Sequence, residues 1–110
     1  MRAYLIDEII PADMQRITAY LERNAVRSDL QNLFWVEMPE GVLSDAQRAE
    51  RERAPLVFAV ELGQDWIKLE FFLRDLQDLR SPSAGYCTAQ QRDFVIDYAH
   101  RILESLGVKT

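Results

Sequence analysis

The sequence is poor in the residues that mark several classes of protein: its 110 residues include one cysteine, one histidine, four glycines and four prolines. A single cysteine excludes an internal disulfide framework and a metal site built from several thiolates. Few glycines and prolines argue against a disordered chain. The longest apolar runs are far shorter than the roughly 18 residues of a membrane-spanning helix, and the N-terminal run is too short for a signal peptide. We therefore expect a cytoplasmic protein of bacterial type.

Acidic residues outnumber basic ones by 18 to 13, so the formal net charge is −5. Such a balance disfavours generic binding to nucleic acid or to anionic membranes, which requires a basic surface. Apolar residues make up 48% of the chain and charged residues 28%, which is ordinary for a globular domain. The length predicts one domain spanning residues 1–110, with a core that needs no covalent staple.

The stretch from Pro55 to Asp75 predicts a β-hairpin at the centre of the core. Apolar side chains recur at every second position, and this period is typical of half-buried strands: Leu56, Phe58, Val60 and Leu62 before the turn, and Ile67, Leu69, Phe71 and Leu73 after it. A two-residue turn at Gly63-Gln64 would place Val60 opposite Ile67. A four-residue loop preserves the same faces and stays open as an alternative, and a three-residue loop would need a bulge at Gly63 to keep the pattern.

The rest of the pattern predicts the order strand, helix, strand, short helix, hairpin, long helix. Capping boxes indicate where the second and third helices begin, at Ser44 with Gln47 and at Thr88 with Gln91. The predicted bounds are a strand at Arg2–Glu8, a helix at Ala12–Ala25, a strand at Leu30–Met38, a short helix ending near Ala54 and a last helix ending near Leu106. Gly107 suits a left-handed cap after the last helix.

These elements predict an α+β fold of two layers. We expect a mixed four-stranded sheet with the two main helices, the first and the last, on one face, in the order β-α-β-(short α)-β-β-α. The mixed character follows from the opening strand, helix and strand, which can form a right-handed parallel crossover. The order of the strands in the sheet does not follow from the pattern.

No group of residues predicts catalysis, a metal site or a cofactor. Cys87 precedes the last helix, where a thiolate would be stabilised, but His100 lies roughly 18 Å along that helix at 1.5 Å per residue, too far to act as its base. Asp93, Asp97 and His100 share a side of the helix, yet such spacing arises by chance in an acidic helix. We expect a protein that is not an enzyme.

The second face of the hairpin is the candidate binding surface, with Trp66, Lys68, Glu70 and Phe72 at alternate positions and Trp35 on the preceding strand. The two-residue turn would set Glu61 opposite Trp66 and Glu70 opposite Val57. The simpler interpretation is a solvated face whose aromatic side chains snorkel, with the apolar part on the surface and the polar end in water. The functional hypothesis is a surface for a protein partner or for a second copy of the chain. The alternative is a small-ligand pocket between the sheet and the loop at residues 81–85, for an unknown ligand.

Overall fold

The computed structural model describes residues 2–51, 55–77 and 84–109, and within these ranges the fold is α+β. The elements in chain order are β1 (Ala3–Ile6), α1 (Pro11–Asn24), β2 (Val26–Arg27), β3 (Leu33–Glu37), a 3-10 helix (Glu40–Val42), α2 (Asp45–Arg51), β4 (Leu56–Leu62), β5 (Ile67–Glu70), β6 (Phe72–Asp75), β7 (Gly85–Tyr86) and α3 (Ala89–Ser105). The predicted end of the short helix near Ala54 lies outside the described residues.

The sheet differs from the predicted one in strand number and direction. Seven described strands contribute to it, in the order β1-β5-β4-β3-β2, with β6 pairing with β4 and β7. Every pairing among them is antiparallel. The prediction of a mixed four-stranded sheet is therefore wrong. The reason is that β1 and β3 are not neighbours: β1 pairs with β5 and β3 with β4, so no parallel crossover forms.

The hairpin adopts the register of the four-residue loop, with residues 63–66 between the paired residues Leu62 and Ile67. Leu62 pairs with Ile67 and Val60 with Leu69, so the predicted pair of Val60 with Ile67 is wrong by two residues. The backbone N–H of Gly63 donates to the carbonyl oxygen of Trp66 at 2.8 Å, which leaves residues 64 and 65 as the turn. Because the shift is even, every side chain keeps its predicted face.

Gly63 is required for space and not for a left-handed turn. The glycines with positive φ in the described chain are Gly85 and Gly107. A Cβ atom added to Gly63 would overlap the indole of Trp66, which lies directly against the glycine backbone. The absence of a side chain thus allows Trp66 to fold back over the end of the hairpin.

A bulge at Phe71 divides the second hairpin strand into β5 and β6. Between the pairs Val60–Leu69 and Val57–Arg74, β4 contributes two residues and its partner contributes four. The backbone N–H of Phe71 donates instead to the carbonyl oxygen of Arg2 at 2.9 Å, and its carbonyl accepts from Cys87 at 3.0 Å. The bulge therefore turns the backbone of Phe71 toward the sheet edge, where β1 and β7 meet.

The inward face of the sheet and two helices enclose one core, as the alternation predicts. All eight alternating apolar residues of the hairpin are buried, together with Met14, Ile17 and Leu21 of α1 and Val95, Ala99, Ile102 and Leu103 of α3. Phe58 is fully buried and meets the rings of Phe94 and Tyr98 edge-on, with centroids 6.4 and 5.6 Å away. Burial of this apolar surface supplies most of the driving force for folding.

The opposite face, called here the outer face, is not uniformly solvated. Val57 and Ala59 point to it, yet they are 5% and 1% exposed. They lie on the central strand β4, and Ala59 pairs with the much larger Trp35. Large side chains on neighbouring strands can cover small ones between them. The middle of this face is therefore less exposed to solvent than the sequence pattern predicts.

Candidate functional site: the outer sheet face

Alternation along β5 and β6 directs Lys68, Glu70, Phe72 and Arg74 to the outer face, and the charged members pair with acids or bases of the same face. Lys68 Nζ lies 3.1 Å from Glu61 Oε1, and Arg74 Nη2 lies 3.0 Å from Glu70 Oε2. The predicted cross-strand neighbours are wrong, because Glu61 pairs with Lys68 and Val57 pairs with Arg74. The two-residue shift of the hairpin register and the bulge cause both differences.

Three of the five predicted binding residues line one open groove of 320 Å³, called here the central groove. Its lining consists of Lys68, Glu70 and Phe72 together with Arg2, Ala3, Arg74 and Tyr86. Two aromatic rings lie next to each other in it, with a guanidinium group on either side. Arg74 lies 4.9 Å from the ring of Phe72, Phe72 meets Tyr86 edge-on at 5.1 Å, and Arg2 lies 5.1 Å from the ring of Tyr86. Such cation–π contacts hold the long arginine side chains against the surface.

A second groove of 240 Å³ adjoins the first, sharing Arg2 and Tyr86 and adding Phe71, Cys87 and Arg92. We call it the Arg92 groove. Burial raises the pKa of the Cys87 thiol to about 11, against a smaller opposing effect of Arg92. The thiol is therefore protonated and uncharged at neutral pH, and a protonated thiol is a poor nucleophile.

The two predicted tryptophans lie elsewhere on the molecule. Trp66 covers Gly63 at the end of the hairpin, with Lys68 Nζ 5.9 Å from its ring. Trp35 lines a separate groove of 390 Å³, the Trp35 groove, with residues 26–30 and Leu76. The five predicted residues thus belong to the outer face and the end of its hairpin but do not form a single site.

Sequence reasoning missed Arg2, Arg74 and Tyr86. The signal for Arg74 was present, because it continues the alternation of Lys68, Glu70 and Phe72. Arg2 and Tyr86 carried no such signal, since they reach the groove only because β1 and β7 meet beside Phe71.

The helical side carries a groove of 400 Å³ between α1, α3 and the end of β3. Tyr20, Phe94 and Tyr98 supply its aromatic rings, and Arg101 lies 5.5 Å from the ring of Phe94. Burial, and then the neighbouring Tyr20, raise the pKa of Tyr98 to about 12, while Arg101 acts in the opposite direction. Its hydroxyl is therefore a hydrogen-bond donor at neutral pH.

His100 and the acidic residues considered for catalysis or metal binding do not form a site with Cys87 or with one another. His100 Nε2 lies 2.8 Å from the hydroxyl oxygen of Tyr4, so α3 presents it to β1 and not to Cys87. Within residues 2–51, 55–77 and 84–109, no three His, Cys, Asp or Glu side chains are grouped as a metal ion would need. Residues 81–83 of the predicted ligand-binding loop lie outside the described residues. In the described chain no helix has the length and apolar character to cross a membrane.

Fold and surface together define an α+β domain whose antiparallel sheet buries one face under helices and presents aromatic and cationic side chains on the other. Comparison of the chain with protein-family models, with curated proteins and with solved structures gave no match.

Proposed function

We propose that this protein is a non-enzymatic interaction module of the cytoplasm that binds a protein partner through its outer sheet face. One observation carries the proposal. Among the described residues, six large apolar side chains are markedly exposed, and five of them lie on the outer face or on the grooves and strands at its edges: Leu5, Val26, Leu30, Leu76 and Tyr86. Leu5 and Val26 lie at opposite edges of the sheet, whereas Val26, Leu30 and Leu76 lie together around the Trp35 groove. Contiguous exposed apolar surface of this kind marks interaction sites in soluble proteins.

The composition of this face supports the same proposal. Aromatic residues and arginine are enriched in protein interfaces, and the central groove combines Phe72 and Tyr86 with Arg2 and Arg74. Trp35 is half-buried and retains an exposed part beside Val26 and Leu30, which are 63% and 66% exposed. Tryptophan is one of the residue types enriched among the few that dominate the binding energy of protein interfaces.

The chemistry of the described side chains supports a role other than catalysis. Cys87 is uncharged at neutral pH and His100 is hydrogen-bonded to Tyr4, so neither is poised as a nucleophile and base. The net charge of −5 favours a protein partner over nucleic acid or an anionic membrane.

Photocrosslinking tests the proposal. A photoreactive phenylalanine analogue is placed at Leu5 or Val26, both exposed on the outer face, and at the exposed positions Gln15 of α1 and Glu104 of α3 as controls. In cells of the source organism we expect a discrete protein adduct from the first pair and none from the second. Equal adducts from all four positions, or adducts only from the helices, would contradict the proposal.

The partner in such an adduct can be a second copy of the chain. Light scattering on the purified protein distinguishes this case, because a homodimer through the outer face doubles the mass of 12.8 kDa. We expect Trp35→Ala to return such a dimer to the monomer, since interfaces concentrate their binding energy in a few large side chains.

A further inference from the structure

The central groove and the Arg92 groove form one cationic strip in an acidic protein. Arg2 and Tyr86 line both grooves, Arg92 lies at one end, and Lys68 and Arg74 lie at the other. Of the described residues lining the two grooves, Glu70 is the only carboxylate, and it is already paired with Arg74. The strip therefore has the opposite sign from the chain, whose net charge is −5.

Among the residues that the structure describes, Arg2 and Arg92 of this strip make no ion pair. Arg2 contacts the ring of Tyr86, and Arg92 lines the adjoining groove beside Cys87. By contrast, the described Arg16 and Arg48 on the helices each bind an aspartate of their own helix. The uncharged thiol of Cys87 adds no negative charge beside Arg2 and Arg92, so their charges remain available to a ligand.

We propose that the strip binds an acidic peptide segment of the protein partner, with carboxylates on Arg2 and Arg92 and an aromatic or aliphatic side chain against Phe72 and Tyr86. This inference rests on the proposed function and specifies the chemistry of the partner. Charge complementarity selects a peptide rich in Glu or Asp, since forked guanidinium groups recognise carboxylates well. We expect an apolar residue between the acids to add affinity, because it can pack on the neighbouring rings of Phe72 and Tyr86.

The probe is a fluorescein-labelled peptide in which glutamates flank a central tyrosine, and binding is read from fluorescence anisotropy at low salt. Comparison probes replace every glutamate by glutamine or by lysine, and a labelled thymidine oligonucleotide tests the other class of anion. We expect only the glutamate peptide to bind, with affinity that falls as salt is raised because the ion pairs are partly exposed. Stronger binding of the oligonucleotide, or equal binding of the glutamine peptide, would overturn the proposal.

Variants locate the binding. The double variant Arg2→Gln with Arg92→Gln removes both unpaired charges. We expect its affinity for the glutamate peptide to fall by roughly tenfold, which corresponds to the loss of two weak surface ion pairs. The matched control is Arg23→Gln with Lys109→Gln, which lowers the net charge equally, at exposed positions outside both grooves. Equal losses in the two double variants would show that only overall charge matters and would refute the assigned site.

The two proposals fail in different ways. A partner crosslinked at Leu5 or Val26 while the glutamate peptide does not bind would leave the interaction module intact and refute its acidic ligand. Peptide binding that depends on Arg2 and Arg92, without any crosslinked partner on the outer face, would support the acidic ligand and count against a protein-binding face.

Discussion

The side-chain amide of Gln91 donates to the side-chain oxygen of Gln47 at 2.8 Å and thereby joins the starts of two helices. Each glutamine also closes its own capping box, since Gln91 Oε1 accepts from Thr88 N and Gln47 Oε1 accepts from Ser44 N. Gln91 is fully buried, and its Nε2 also donates to the carbonyl oxygen of Val42 at 2.9 Å. One side chain thus fixes the position of α2 and of the preceding 3-10 helix relative to α3.

We predict that Gln91→Glu destabilises the fold although glutamate suits a capping box. The new carboxylate can still accept from the backbone N–H of Thr88, but it cannot donate to the oxygen atoms of Gln47 and Val42. A buried carboxylate oxygen next to two other acceptor oxygens lowers the free energy of unfolding by about 1–3 kcal/mol or more. Urea unfolding at pH 7 measures the loss, and acidification should reduce it because a protonated carboxyl donates again. Gln90→Glu is the control: its side chain is exposed, and we expect a change within about 0.5 kcal/mol. Equal stability of the two variants would contradict the role of Gln91.

The contact of Gly63 with Trp66 predicts a different response at two glycines. Gly63→Ala forces the indole away from the hairpin, at a cost of about 1–3 kcal/mol for overpacking. Gly41→Ala meets no atom within 4 Å, and we expect stability to be unchanged or raised by up to about 1 kcal/mol. Thermal unfolding of both variants checks this, and the emission of Trp66 should shift to the red only in the first. A stable Gly63→Ala variant with unchanged emission would show that the indole does not need this space.

Tyr98 makes stability depend on alkaline pH. Its folded-state pKa of about 12 lies above the ordinary value of 10.0, because burial disfavours the phenolate. The stabilisation from the neutral hydroxyl is fully present below about pH 10 and is lost as the pH rises toward 12. Urea unfolding between these limits should show a smaller loss of stability in Tyr98→Phe than in the wild type. Parallel curves for the two proteins would mean that Tyr98 ionises equally easily in the folded and unfolded chains.

Substitutions in the central groove should leave the fold intact, which makes binding tests there interpretable. The side chains of Lys68 and Arg74 are 41% and 39% exposed, and solvent weakens their ion pairs with Glu61 and Glu70. We expect Lys68→Gln and Arg74→Gln each to change the free energy of unfolding by less than about 1 kcal/mol. Chemical unfolding in low and high salt measures this. Losses of several kcal/mol would identify these residues as parts of the structural framework.

Sequence signals were reliable for features that depend only on residues a few positions apart. The capping boxes at Ser44 and Thr88 form as predicted, because a hydroxyl and a glutamine three residues apart satisfy each other's backbone within one turn. The left-handed conformation of Gly107, with φ of 70°, also follows from its place after an apolar stripe. The pairing of Val60 with Ile67 was wrong and the alternative four-residue loop was right, because both registers satisfy the same alternation and the sequence pattern does not distinguish them.

The candidate site was predicted only in part for a related reason. Lys68, Glu70 and Phe72 share a face through the two-residue period of one strand, so the sequence places them together. Arg2 and Tyr86 are 84 positions apart by number, and they meet because β1 and β7 both pair with the strand interrupted at Phe71. No local pattern encodes such a meeting.

The sequence by itself determined which residues alternate, where the helices begin, and that an acidic single chain folds around a striped hairpin. These properties depend on neighbours within a few positions, where backbone geometry dictates the period. Only the tertiary structure decided the antiparallel order of the strands, the link between Gln91 and Gln47, and the gathering of Arg2 and Arg92 around Tyr86. Those arrangements depend on which distant surfaces bury the most apolar area together, and that choice belongs to the whole chain.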